Sequence, residues 1–165
     1  MRLPVPMVTA AAAGLLAVVV LAGPAASQDP PAAPSIEVFS KDRTERSTDL
    51  DLGRRGASMG DRTLARGPLY APADTSRRVG SYTAELVSLD PGRLLTQMTV
   101  TVVLADGQIT VGGSLPFERT LRQAGAVLPI TGGTGAYALA RGTATLRARK
   151  IGRDDGFAFT IDVVR

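Results

Sequence analysis

Residues Leu94 to Gly113 read LLTQMTVTVVLADGQITVGG, and this stretch sets the class of structure. Met98, Val100, Val102 and Leu104 fall on one side of an extended chain, with Gln97, Thr99 and Thr101 on the other. That period of two belongs to a half-buried strand, not a helix. Asp106-Gly107 is a hairpin turn pair, and Ile109 and Val111 resume the alternation beyond it. The carboxyl-terminal residues repeat the pattern. Ala144, Leu146 and Ala148 alternate with Thr143, Thr145, Arg147 and Arg149. A turn is expected over Gly152–Gly156, after which Phe157, Phe159, Ile161 and Val163 form an apolar face with Thr160 and Asp162 opposite. Arg147 and Asp162 then share the polar face of this second hairpin, where they are placed to pair. Shorter β-rich runs at Ile36–Phe39, Arg62–Tyr70, Arg78–Ser88 and Ala126–Thr131 bring the total to about eight strands. Phe117–Gln123 (FERTLRQ) offers at most about two helical turns before Gly125. No βαβ alternation and no internal repeat is present. The expectation is an all-β domain, a sandwich or a barrel.

Composition removes whole classes of chemistry. The chain has 165 residues, room for one domain, and contains no Cys, no His and no Trp. Disulfides, thiolate nucleophiles, Cys/His zinc sites and histidine-based triads are therefore excluded, and acid–base work falls to Asp, Glu, Tyr, Lys or Arg. The net charge of +4 is mild and interspersed, and all the basic residues except Lys41 and Lys150 are arginines. With only 3 Tyr and 4 Phe to stack on bases, no nucleic-acid partner is implied.

Met1 to Ser27 reads as a leader. Arg2 supplies a positive start, Val8–Ala22 is apolar apart from Thr9 and Gly14, Gly23-Pro24 breaks the run, and Ala25-Ala26-Ser27 supplies small residues for cleavage before Gln28. The apolar run is shorter than the ~20 residues of a membrane span, and no basic cluster follows it at once. The expectation is a secreted protein with no stable membrane insertion after cleavage. Residues 28–35 (QDPPAAPS) form a Pro/Ala-rich linker, and residues 36–165 form the domain. A cysteine-free exported domain must be held by its core and hydrogen bonds, as a closed barrel can be.

Several motifs invite sharper readings. Gly132-Gly133-Thr134-Gly135 matches part of a dinucleotide fingerprint, but the βαβ context is missing and no Lys-Ser/Thr follows. The segment is expected to be a structural, tight connection between strands, its glycines supplying positive φ. Asp49-Leu50-Asp51 resembles the start of a calcium loop, yet the closing position holds Gly60, so no metal is assigned. Arg54-Arg55 and Arg77-Arg78 read as solvated surface. Tyr70, Tyr82 and Tyr137 suit either a core position with a hydrogen-bonded tip or the orientation of a ligand in a barrel mouth; spacing favours the core.

Read in order, a family pattern emerges. Asp51-x-Gly53-x-x-Gly56-x-Ser58-x-Gly60-Asp61, Pro68-Leu69-Tyr70, Gly107-Gln108-Ile109-Thr110, and Pro129-Ile130-Thr131-Gly132-Gly133-Thr134-Gly135-Ala136-Tyr137 with Ala140-Arg141-Gly142 resemble the allene oxide cyclase barrel-like group, which includes the plant dirigent proteins. The resemblance spans about Ile36 to Arg165. It implies an eight-stranded antiparallel β-barrel of calycin-like shape, a homotrimer as in plant members, and an apolar small molecule held in the lumen. Such barrels steer cyclisation or radical coupling by positioning a ligand and excluding water. Any activity implied is of isomerase or cyclase type, with neither metal nor nucleotide cofactor. Carried over residue by residue, Arg141 matches the arginine of the ARG element, and Asp51 and Asp61 match the early aspartates. These three are the catalytic candidates, Arg141 stabilising negative charge and an aspartate moving a proton. Their alternative is structural, with Arg141 pairing an aspartate to lock the glycine-rich connection. Tyr82 and Tyr137 are the ligand-binding candidates. Ala136 stands where several dirigents carry a polar residue, and Tyr82 where many relatives have cysteine. A non-catalytic lipid or metabolite carrier and a structural oligomeric barrel remain alternative readings. A lumen of about 300 Å³ or more favours ligand handling; one filled by Met98, Val100, Phe157 and Phe159 counts against it.

Overall fold

The computed structural model describes residues 35–116 and 125–164. The leader, the linker up to Pro34 and the short helix expected at Phe117–Gln123 lie outside the described residues. The two hairpins read from alternation are both present. Strand β5 (Leu95–Leu104) turns into β6 (Gly107–Pro116), and β8 (Arg141–Ile151) turns into β9 (Asp154–Val164). The second turn is tighter than expected, because Asp154 to Gly156 already pair with Ile151 to Arg149. The same register sets Asp162 opposite Thr143 and Arg147 opposite Ala158, so Arg147 and Asp162 are not cross-strand partners.

The remaining strands are β1 (Ser35–Lys41), β2 (Arg46–Leu50), β3 (Arg62–Ala71), β4 (Asp74–Asp90) and β7 (Ala126–Gly135). Every pairing is antiparallel, in the order β1-β9-β8-β7-β6-β5-β4-β3-β2. A further pairing of β1 with β3, Phe39 opposite Tyr70 and Ser40 opposite Leu69, closes the sheet on itself. After a single 3-10 turn at Asp42–Thr44, β2 runs on along β3, with Arg46 opposite Arg66 and Leu50 opposite Arg62. β1 and β2 are thus two halves of one broken strand, and the result is a closed eight-stranded barrel.

Closure explains the core. One side of each strand except β2 faces a common interior, where Val38, Leu69, Val100, Val102, Ile109, Val111, Leu128, Ala144, Leu146, Ile161 and Val163 are all buried. Fully burying one such aliphatic side chain contributes about 1.5–3 kcal/mol, which offsets the backbone entropy lost without any disulfide. The closed ladder also leaves few unpaired strand edges to seed aggregation.

The glycine motif needs correction. Gly132 to Gly135 are not a connection between strands but the second half of β7, paired with Thr110 to Gly107 of β6. The ladder breaks step between Thr110 and Val111, and the reversal comes after the motif, over residues 136–139. Only Gly135 of the four has positive φ, at 60°. Gly133 is required for a different reason: a Cβ there would stand 2.2 Å from the carbonyl oxygen of Tyr137 and 2.9 Å from that of Gln108. The motif is an extended strand over which the following turn folds closely.

Candidate functional site

Alternation along β4, β5, β8 and β9 points Tyr82, Ala84, Leu86, Met98, Val100, Leu146, Phe157 and Phe159 into the barrel. Together with Ala65 and Glu45 they line a cavity of about 60 Å³. This is well below the roughly 300–1,000 Å³ of an established small-molecule pocket. Met98, Val100, Phe157 and Phe159 are among the side chains that take up the space.

The polar end of this cavity is a pair. Tyr82, 4% exposed, lies opposite Gly67 and Val102, with its ring 5.8 Å from that of Phe159 at an angle of 45°. Its hydroxyl donates to Oε2 of Glu45. Glu45 sits at the bend between the 3-10 turn and β2, so the break in the first strand is what turns this carboxylate toward the lumen. Burial first, then hydrogen bonding to Glu45 and the Glu45 charge, push the Tyr82 phenol well above the ordinary tyrosine range. Tyr82 therefore keeps its proton and serves as a donor. A carboxylate–phenol pair against aromatic and aliphatic walls can stabilise positive charge at Glu45 and hold a proton at Tyr82.

The other sequence candidates lie elsewhere. Asp61 accepts from the Ser58 backbone N–H at 2.6 Å, the Leu52 N–H at 2.8 Å and the Ser58 hydroxyl at 2.9 Å. The Ser58 N–H first, then the other two donors, hold its carboxyl below the usual carboxylate range. Asp51 accepts from the Gly56 N–H at 3.1 Å. Both aspartates close the glycine-rich loop that leads into β3. Arg141 opens β8 at the other end of the barrel, following the β7–β8 turn, and its alternation with inward Ala144 and Leu146 turns it outward. Its guanidinium donates to the Ala140 carbonyl at 3.0 Å. The structure does not bring Arg141 together with either aspartate, and none of the three lines the lumen cavity. Tyr137 is buried in the turn after β7, its N–H bonded to the Thr134 carbonyl, and it does not line the cavity either. Among the described residues no cluster of three or more acidic groups is placed to hold a metal.

Glu45 was not among the sequence candidates. It lies in Lys41-Asp42-Arg43-Thr44-Glu45-Arg46, a charged run that reads as solvated loop. Its inward orientation depends on barrel closure, which no local pattern records.

The fold and the lumen define a closed antiparallel barrel with an apolar interior carrying one carboxylate–phenol pair. Residues 45–159 match the model of the allene oxide cyclase barrel-like domain, and the chain belongs to that family. The solved structures it resembles include a pyocyanin demethylase (21% identity, TM-score 0.64, covering 79% of this chain and 100% of that one). A pterocarpan synthase dirigent protein aligns at 16% identity and TM-score 0.63 over 79% of this chain and 88% of its own. A Diels–Alderase from Streptomyces koyangensis aligns at 14% identity and TM-score 0.58 over 80% and 69%. At these identities the likeness is one of fold. No curated protein matches the chain at significant similarity.

Proposed function

We propose that this barrel encloses an apolar small molecule against the Glu45–Tyr82 pair and steers its cyclisation or coupling. The observation that carries the reading is the pair itself, a charged acceptor and a buried phenol at an otherwise apolar cavity. Burying a phenol and setting a half-buried carboxylate against apolar walls costs free energy that a hydrocarbon core avoids, so the pair supports a functional reading of the lumen. The family supports the reading, since its dirigent and Diels–Alderase structures are named for reactions of this kind. In this scheme the walls fold the ligand into a reactive shape and exclude water, Tyr82 turns its single O–H from Glu45 to a ligand oxygen as the ligand enters, and the carboxylate so released stabilises positive charge developing on the ligand. The leader-like Met1–Ser27 supports an exported protein, and a homotrimer is the proposed assembly.

The test is the product profile of the purified protein with candidate polyene, phenol and quinone-methide precursors. Glu45→Gln keeps the hydrogen-bond acceptor and removes the charge, and is expected to lower kcat/KM about 100-fold. Product ratios unchanged from those in buffer, for the wild-type protein, would sink the reading.

The cavity of about 60 Å³ favours a second reading, a structural barrel with a filled lumen. That reading expects no ligand to co-purify and none to be taken up. Mass spectrometry of small molecules released from the protein separates the two.

A further inference from the structure

We propose that the outer face of the barrel carries a second site, a groove built by Arg46, Arg66 and Arg78 that binds the phosphate or sulfate group of a small hydroxylated molecule. It opens on the outer face and shares one lining residue, Tyr82, with the lumen cavity.

Arg46 on β2 and Arg66 on β3 are direct cross-strand partners. Ala65 and Leu69 face the core, so the alternation sends Arg66 outward, with Arg46 beside it. Two like charges directly opposite each other destabilise a sheet unless something neutralises them. Among the described residues neither arginine forms an ion pair, and Glu85, diagonal to Arg66 on the same face, is engaged by Arg62. Arg62 pairs with Glu85 and Arg43 with Asp154, and Glu45, next to Arg46 in the chain, is turned to Tyr82. Arg78 joins them along β4. Its Nε donates to the Gly80 carbonyl at 3.1 Å, which fixes the guanidinium and leaves its two outer nitrogens unused by that bond. Ser81 and Thr83 add hydroxyls, the Thr44 hydroxyl already donates to the Lys41 carbonyl at 3.0 Å, and Thr83 is the cross-strand partner of Arg66.

The groove these residues line has a volume of about 310 Å³, and no carboxylate is among its lining residues. That volume exceeds what a bare phosphate fills, so the oxyanion would arrive attached to something. The polar rim fits a hydroxylated carrier better than an acyl chain. Arginine suits the task, because its planar fork gives paired donors to an oxyanion where lysine gives a point charge.

The experiment is calorimetric titration of the purified protein with inorganic phosphate, inorganic sulfate and a hexose phosphate. Each ligand is titrated into the wild type, the Arg46→Gln/Arg66→Gln double variant and the Arg54→Gln/Arg55→Gln control, which removes the same charge from the exposed 51–61 loop. The expected result is saturable one-to-one binding, tighter for the ester than for the bare ions. The groove variant should weaken it at least about tenfold and the loop control should leave it unchanged. Equal losses in both variants would overturn the proposal, as would binding to phosphatidic acid vesicles with no saturable uptake of any soluble anion. Thermal unfolding in phosphate-free, low-salt buffer gives a second readout. The groove variant should melt at or above the wild-type temperature, since a repulsion has been removed. A lower midpoint would mean that the arginines are already compensated, and the site would be lost with that finding.

Discussion

Gly132 and Gly133 are adjacent, identical in type and different in what they require. A Cβ at Gly132 meets nothing within 4 Å, whereas one at Gly133 runs into the Tyr137 carbonyl oxygen at 2.2 Å. Gly132→Ala should therefore change stability by no more than about 0.5 kcal/mol. Gly133→Ala should destabilise by about 2–3 kcal/mol, because the turn over residues 136–139 must lift away from the strand. Chemical denaturation of the two variants checks this, and equal midpoints would contradict the close approach. The motif was visible in the sequence, but its glycines suit a turn and a crowded strand equally well. What separates the cases is the long-range pairing with β6. Asp61 is a second case, since its place in a recurrent motif does not record that three donors of its own loop hold the carboxylate.

The seam where β1 meets its neighbours is held by ionic contacts. Lys41 Nζ lies 3.1 Å from one carboxylate oxygen of Asp154, and an Arg43 guanidinium nitrogen lies 2.8 Å from the other. Thr75, from the start of β4, donates to the same carboxylate at 3.1 Å, and the Lys41 ammonium sits 4.2 Å from the centre of the Tyr70 ring. Lys41 and Asp154 are both buried, at 6% and 8% exposure. Asp154→Asn leaves a buried ammonium facing only an amide and an aromatic face, while Lys41→Met leaves Asp154 still bonded to Arg43 and Thr75. The asparagine variant should thus lose more stability than the methionine variant, read as the larger fall in Tm. The pH dependence follows from the same contacts. Hydrogen bonding from Lys41 first, then Thr75 and the nearby charges, holds the Asp154 carboxyl below its ordinary value. A depressed folded-state pKa contributes stability that is complete above the unfolded value of about 4 and is lost as pH falls through the folded one. The protein should lose stability below about pH 4, and Asp154→Asn should flatten that part of the profile. Hairpins β5–β6 and β8–β9 were legible because one face of each strand is buried. β2 was not, because all of its residues are exposed and no alternation marks it.

Barrel closure is what sets a carboxylate against Tyr82 in the interior, and it is the step that sequence pattern records least. The Glu45–Tyr82 bond joins residues 37 positions apart, and it forms only because β1 crosses to β3 before β2 begins. The family motifs led to the barrel, and the amphipathic character of Tyr82 marked it as a candidate, but neither led to the carboxylate that Tyr82 meets. A lumen of about 60 Å³ behaves differently on truncation as a chamber than as a packed core. Met98 is 6% exposed and lines the cavity, so Met98→Ala tests the point directly. Truncation should cost about 2–4 kcal/mol, from lost apolar burial and the enlarged void. An enlarged cavity with apolar walls stays dry and takes up small aromatic molecules. Saturating indole should then raise the Tm of Met98→Ala clearly more than that of the wild type, since only a ligand that binds the folded state stabilises it. Combining the change with Tyr82→Phe should preserve uptake of indole while abolishing any preference for ligands with a hydrogen-bond acceptor. A folded Met98→Ala that gains nothing from indole would show that the interior repacks around the loss, and the lumen would then be a core that happens to contain Glu45.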